Sequence, residues 1–231
     1  MNRSETPMPA TSLFSRLRFV LIETSHPGNV GAVARAMKTM GFSDLVLVKP
    51  RFADATMQEE AVAFASGALD VLEGARIVAH FEDAINGCNF AAALSARPRE
   101  FAPPVLTPRR LAAQLAEASH LKPALVFGSE RYGLPNEIIE RCNALIHIPA
   151  NPDYSSLNLA QAVQLLAYEI RLAGMEVEGE GASEANEIGF LGEPAELVQI
   201  EGMYAHLEQA LVEIDFLDPG NPRKLMSRLR R

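Results

Sequence analysis

Three short blocks carry residue types that could do chemistry, and each falls where an apolar run gives way to a helical pattern. In Asn29-Val30-Gly31-Ala32-Val33-Ala34-Arg35-Ala36 an amide and a guanidinium share one helix. Gly28 and Gly31 flank its start, where free N–H groups favour anions. A forked guanidinium suits bidentate contact with phosphate. In Phe127-Gly128-Ser129-Glu130-Arg131-Tyr132-Gly133-Leu134 a strand ends in glycine, so a ligand can approach the backbone with no Cβ in the way. Ser155-Ser156-Leu157-Asn158-Leu159 opens another helix with hydroxyls and an amide. Around it Ile146, Ile148, Pro149 and Leu157 offer apolar surface and backbone amides suited to an adenine ring. Strand-to-helix junctions of this kind are where open α/β sheets build ligand sites.

Each block also has a plain structural reading. Serine and asparagine are favoured N-caps, and Asn158 with Gln161 has capping-box spacing. Gly128 fits a turn, and Arg35 lies on the helix face opposite Val30, Val33 and Met37, where an arginine is ordinarily just solvated. Ser25-His26-Pro27 reads as a turn before a helix rather than an acid–base group. Cys88 and Cys142 cannot form a disulfide framework and read as reduced core thiols. No Cys or His falls at metal-ligand spacing, so no structural zinc is expected. The G-x-G-x-x-G spacing of a dinucleotide loop is absent.

Buried strands are expected at 19–22, 45–48, 77–78, 90–94, 125–127 and 145–148. Most are near-continuous apolar runs, as in a parallel sheet covered on both faces. Between them Val30, Val33, Met37 and Met40 repeat at helical spacing, with Gly41 as a stop. Leu159, Val163, Leu166 and Ile170 mark a later helix, closed by Gly174. The alternation predicts an open α/β sheet. Beyond it, Leu197, Ile200, Tyr204, Leu207, Leu211 and Ile214 form a narrow seam on one further helix suited to docking on another surface. The reading divides into a tail over 1–17, a sheet domain over 18–173, a flexible acidic linker over 174–189 and a helical extension over 190–231.

The 231 residues are 48% hydrophobic and 22% charged, ordinary for a soluble globular protein. No apolar run approaches a membrane span, and no secretory leader is visible. The net charge of −8 is unevenly distributed. Twelve acidic residues and no Lys or Arg lie in 176–218, leaving 21 basic against 17 acidic residues elsewhere, a balance of +4. That asymmetry is compatible with a basic body meeting phosphates, and equally with a solvated acidic helix.

In their order along the chain, the three blocks resemble the signature motifs of the SPOUT-class, TrmH-like RNA ribose 2′-O-methyltransferases. Glu23-Thr24-Ser25-His26-Pro27-Gly28-Asn29-Val30-Gly31 and Asn151-Pro152-Asp153-Tyr154-Ser155-Ser156-Leu157-Asn158-Leu159-Ala160 are similar to the TrmJ branch, which modifies the tRNA anticodon loop. Where that branch commonly has arginine before the motif glutamate, this chain has Ser129, as other members of the class do. The resemblance implies a sheet domain with a C-terminal trefoil knot, where topology rules alone would assign an unknotted thread. It implies S-adenosyl-L-methionine as cofactor, held by Phe127, Gly128, Ser129, Glu130, Ile148, Pro149, Ser156 and Leu157. It places Arg35, Ser156, Asn29, Glu130 and Asn158 in the catalytic centre. It further implies a cytoplasmic homodimer acting on tRNA at position 32, with no DNA and no membrane as partner. Members of the branch usually continue past a basic end such as 223–231, which would make this chain a shortened one. Ribosomal RNA as substrate, or a non-catalytic RNA-binding module on the same fold, are the alternatives.

Overall fold

The computed structural model describes residues 12–96, 103–179, 197–220 and 224–229. The strands are β1 (Arg18–Ile22), β2 (Asp44–Val48), β3 (Arg76–Val78), β4 (Phe90–Leu94), β5 (Val105–Leu106), β6 (Pro123–Phe127) and β7 (Ala144–Ile146). The helices begin with α1 (Leu13–Arg16), α2 (Pro27–Thr39), α3 (Glu59–Ala65), α4 (Leu69–Glu73) and α5 (Phe81–Ile85). They continue with α6 (Pro108–Glu117), α7 (Asn136–Ile139), α8 (Leu159–Glu178), α9 (Leu197–Glu213) and α10 (Leu225–Leu229). The chain divides into two compact units, Met1–Ala182 and Ser183–Arg231.

The seven strands form one sheet in the order β3-β2-β1-β6-β4-β7-β5, and every pairing is parallel. Alternate residues explain the unbroken apolar runs. Phe19 and Leu21 of β1, Leu45 and Leu47 of β2, and Leu125 and Phe127 of β6 pack under α2, α6 and α8. Val20, Ile22, Val46, Val48 and Val126 face the other way, against Phe81 and Ala84 of α5 and Ile139 of α7. Both faces of the central strands are covered, so beyond their first residues β1, β2 and β6 are apolar at every position. Each fully buried Leu or Phe contributes about 1.5–3 kcal/mol. Burial pushes the Cys142 thiol up to about 11 and raises that of Cys88, as suits packing groups rather than nucleophiles.

Four sequence expectations change. Residues 77–78 lie in an edge strand with Ile77 41% exposed, not in a buried one. The short edge strand β5 carries too little pattern to be read from the sequence. Gly174 does not close α8; the helix continues to Glu178 and is capped at Gly179. A Cβ at Gly174 would stand 3.3 Å from the Phe14 ring, so the glycine seats that ring on the helix. The segment before Arg18 is not merely a tail. Leu13 and Leu17 are buried, and Arg16 donates to the carbonyls of Leu115 (2.5 Å) and Leu121. Of the linker expected over 174–189, residues 180–189 lie outside the described residues, as do residues 1–11 of the tail.

In the second unit, Ile200, Tyr204, Leu207 and Leu211 of α9 are half-buried while Ile214 is exposed. The Tyr204 hydroxyl donates to the Leu229 carbonyl at the end of α10, 3.0 Å away.

Candidate active site

Because β6 lies beside β1, the loop after Phe127 comes to rest against the loop after Ile22 at the C-terminal edge of the sheet. Glu130 is the meeting point. Its Oε1 accepts from the Thr24 hydroxyl (2.9 Å) and the Asn29 amide (2.8 Å). Its Oε2 accepts from the backbone N–H and the hydroxyl of Ser25, both at 2.9 Å. Burial pushes the carboxyl up, but the hydrogen bonds from Asn29 and Ser25 outweigh it and hold the group at about 2. Glu130 is therefore an anion at neutral pH, solvated by neutral donors.

The chain of contacts continues to the third block. Asn29 spends its NH2 on Glu130, which leaves its Oδ1 to accept from the Asn158 amide at 3.0 Å. Asn158 in turn caps α8, its Oδ1 accepting from the N–H of Ala160 (2.9 Å) and Gln161 (3.4 Å), with Gln161 closing the capping box. The capping and site readings of Asn158 hold together, because the carbonyl oxygen caps and the NH2 reaches the site. Among the described residues the two buried polar side chains are Thr24 and Ser129, and both belong to this region.

A cleft of about 200 Å³ opens between the β6 loop and the segment before α8. Phe127, Gly128, Ser129, Glu130, Ile148, Ser156 and Leu157, all expected around the cofactor, line it. Pro149 is exposed and stands outside this lining. Gly128 serves differently from expectation. A Cβ there would fall 2.1 Å from the backbone of Gly133, so the glycine lets the loop close on itself through the Ser129–Gly133 bridge. Arg35 is exposed on α2, opposite the fully buried Val30, Val33 and Met37. It borders a second, wider groove with Thr39, Gln161, Gln164 and Leu157. Leu157 is thus the wall shared by the two depressions.

Sequence reasoning missed Thr24 and Ser25 as partners of Glu130, although both stand in the block quoted for the resemblance. It also missed Leu94, which ends β4, and Ser95 and Ala96 after it, all three lining the cleft. Small residues after an apolar run were the available signal, but only the insertion of β6 between β1 and β4 brings them to the site.

The cleft fits a cofactor with an adenine and a charged sulfur. Ile148, Leu134 and Leu157 supply apolar wall, and Ser129 and Ser156 supply hydroxyls beside the backbone groups of the loop. The neutral-donor shell around Glu130 keeps a fixed negative charge close by.

The sequence model of the SpoU rRNA Methylase family matches residues 16–168, and that of the TrmJ C-terminal domain matches 198–231. The tRNA (cytidine/uridine/adenosine-2′-O-)-methyltransferase TrmJ of Pseudomonas aeruginosa is 47% identical over 226 residues, covering 95% of this chain and 86% of that protein. A probable methyltransferase from Bordetella pertussis superposes with a TM-score of 0.66 at 52% identity, covering 70% of this chain and 97% of the other. TrmJ from Z. mobilis superposes with a TM-score of 0.63 at 32% identity, covering 92% and 88%. The likeness extends over both the sheet domain and the C-terminal helices, and the chain belongs to the SpoU methylase family, in its TrmJ branch.

Proposed function

We propose that this protein is a cytoplasmic tRNA ribose 2′-O-methyltransferase that modifies the anticodon loop at position 32, using S-adenosyl-L-methionine. The observation that carries this reading is the chain Asn158–Asn29–Glu130, which ties the arginine-bearing helix α2 to the cleft beside Ser156. The named activity of the Pseudomonas relative supports tRNA as the substrate.

The cofactor supplies a methyl group on a sulfonium. Phe127, Ile148, Leu157 and the backbone after Gly128 would hold it, with Ser129 and Ser156 at hand. The reaction would move that methyl to a ribose O2′, leaving the demethylated thioether, and Ser156 or a water would relay the hydroxyl proton out to solvent. Arg35 is a poor proton acceptor, because a guanidinium resists deprotonation in proteins. Its role is to engage the phosphate next to the target ribose and to stabilise negative charge developing on O2′. Glu130, Asn29 and Asn158 are positioning residues. Each holds the next, and together they keep α2 and the Ser156 segment in one register.

The active form is a homodimer. Leu165, Tyr168 and Leu172 leave an exposed apolar stripe at helical spacing along α8, on an element otherwise packed in the core. The Arg35 groove runs beside its first member, Leu165, so a partner seated on the stripe would border Arg35. The seam on α9 acts as a further clasp. The strand order, with β6 inserted beside β1, is compatible with the knotted thread of the SPOUT fold.

The test is methyl transfer from tritiated cofactor to purified tRNA and to ribosomal RNA. The reading expects 2′-O-methylation of tRNA at position 32. Transfer to ribosomal RNA alone would replace the substrate, and saturable RNA binding without transfer would leave a non-catalytic module.

A further inference from the structure

Two pairs of neighbouring residues repeat one arrangement, one in the lining of the cleft itself (Arg131 and Tyr132) and one outside it (Arg51 and Phe52). After β2, the Arg51 guanidinium lies over the Phe52 ring, 5.3 Å from its centroid. After β6, Arg131 lies over Tyr132 at 5.5 Å. Since β1 runs between β2 and β6, the two pairs bracket the β1–α2 junction, with Thr24 and Ser25 on the loop and Asn29 in the first turn of α2. Two strand spacings separate β2 from β6, about 10 Å. All four side chains are exposed, Phe52 at 38% and Tyr132 at 73%.

The first pair is held by its backbone, which leaves its side chains free for a ligand. The Arg51 N–H donates to the Thr24 carbonyl at 2.9 Å, and the Thr24 hydroxyl reaches Glu130. The buried Ala55 donates its N–H to the Phe52 carbonyl at 3.1 Å and pins the turn. Lys49, just before, sits at φ 45°, a left-handed conformation that is uncommon for a residue with a Cβ. Among the described residues Lys49, Arg51 and Arg131 join no ion pair, whereas Arg18, Lys38, Arg76, Arg109 and Arg141 all do.

We propose that Arg51–Phe52 and Arg131–Tyr132 are two stacking clamps that grip unpaired bases of the RNA strand on either side of the methylated nucleotide, with Lys49 on the phosphate beside the first. This rests on the reading of the substrate as RNA. An exposed ring takes a base by stacking, and a guanidinium beside it meets the phosphate or stacks in turn. Bases must be splayed to reach such rings, so the clamps select a single-stranded loop over a duplex.

The experiment measures the KM for tRNA, its salt dependence and the affinity for S-adenosylhomocysteine. Phe52→Ala should raise the KM for tRNA about tenfold, the effect of losing one stacked base, with S-adenosylhomocysteine affinity unchanged. Phe52→Tyr should restore the wild-type value, and Phe52→Leu should not, because leucine keeps the bulk and loses the π-face. Arg51→Ala should lower the slope of log affinity against log salt by about one contact. A Phe52→Ala enzyme with wild-type KM, or a leucine variant as good as tyrosine, overturns the clamp. If the wild-type protein transfers no methyl to tRNA, the functional reading fails on its own. The clamp then stands or falls on whether Phe52→Ala weakens binding of a single-stranded oligoribonucleotide.

Discussion

The two edges of the parallel sheet use the same residue types to opposite ends. At the N-terminal edge, the first residues of three adjacent strands are Arg18, Asp44 and Arg76, and both arginines pair with the one aspartate. Arg18 Nε meets Asp44 at 2.7 Å and Arg76 meets it at 3.1 Å, while Arg18 Nη1 also donates to the carbonyls of Ala84 and Asn86. At the C-terminal edge, the carboxylate of Glu130 takes its donors from hydroxyls, an amide and a backbone N–H. No cation is consumed there, and Arg35, Lys49, Arg51 and Arg131 remain outside ion pairs among the described residues. A charge matched by an opposite charge holds the fold. A charge matched by neutral donors leaves the cations of the same edge for an anionic ligand.

The sharpest way to break this contrast is Arg35→Ala. Methyl transfer should fall by on the order of 10²-fold or more, while calorimetry finds binding of S-adenosylhomocysteine nearly intact. Arg35→Lys should also be poor, because an ammonium lacks the fork for two phosphate oxygens. A variant keeping most of its turnover removes Arg35 from the reaction.

Next in size is Asn158→Asp, which separates capping from positioning. Aspartate still caps α8, so the melting temperature should stay close to wild type. It has no NH2 for Asn29 and adds a second negative charge near Glu130, so methyl transfer should drop on the order of tenfold or more. Asn158→Ala should lose the cap as well, about 1 kcal/mol. Full activity in the aspartate variant would reduce Asn158 to a helix cap.

At the opposite edge, Arg18→Ala should cost about 1–3 kcal/mol of stability by denaturant titration and leave the kcat of the folded enzyme unchanged. A lowered kcat there would erase the distinction between the edges.

The smallest effect concerns pH. The Glu130 carboxyl is held at about 2, below an ordinary value of 4.5. Its contribution to stability is therefore present above pH 4.5 and is lost as pH falls toward 2. Wild type should lose stability across that window, and Glu130→Gln, which has no such proton to take up, should lose less there. Equal acid sensitivity in the two proteins would contradict the anionic assignment.

Much of this was legible in the sequence. The parallel sheet showed in the apolar runs because both faces are covered. The helix stop at Gly41 showed because a left-handed residue, with φ 86°, follows the Met40 cap of α2. Gly174 misled, since a glycine that seats an aromatic ring on a helix looks the same in sequence as one that ends it. The site blocks were visible, and Asn29, Glu130 and Asn158 do come together. The part played by Thr24 and Ser25 was not, because a hydroxyl's partner 106 or 105 residues away depends on β6 pairing with β1. Periodicity carries each strand's burial but not its neighbour.

The most direct test of the account is a map of 2′-O-methyl marks in tRNA from a strain lacking this gene, complemented with the wild-type chain or with Arg35→Ala. The account predicts that the mark at position 32 disappears on deletion, returns with the wild-type chain and stays absent with Arg35→Ala at equal protein level. A mark at position 32 that persists without the gene, or that returns in full with Arg35→Ala, would contradict it.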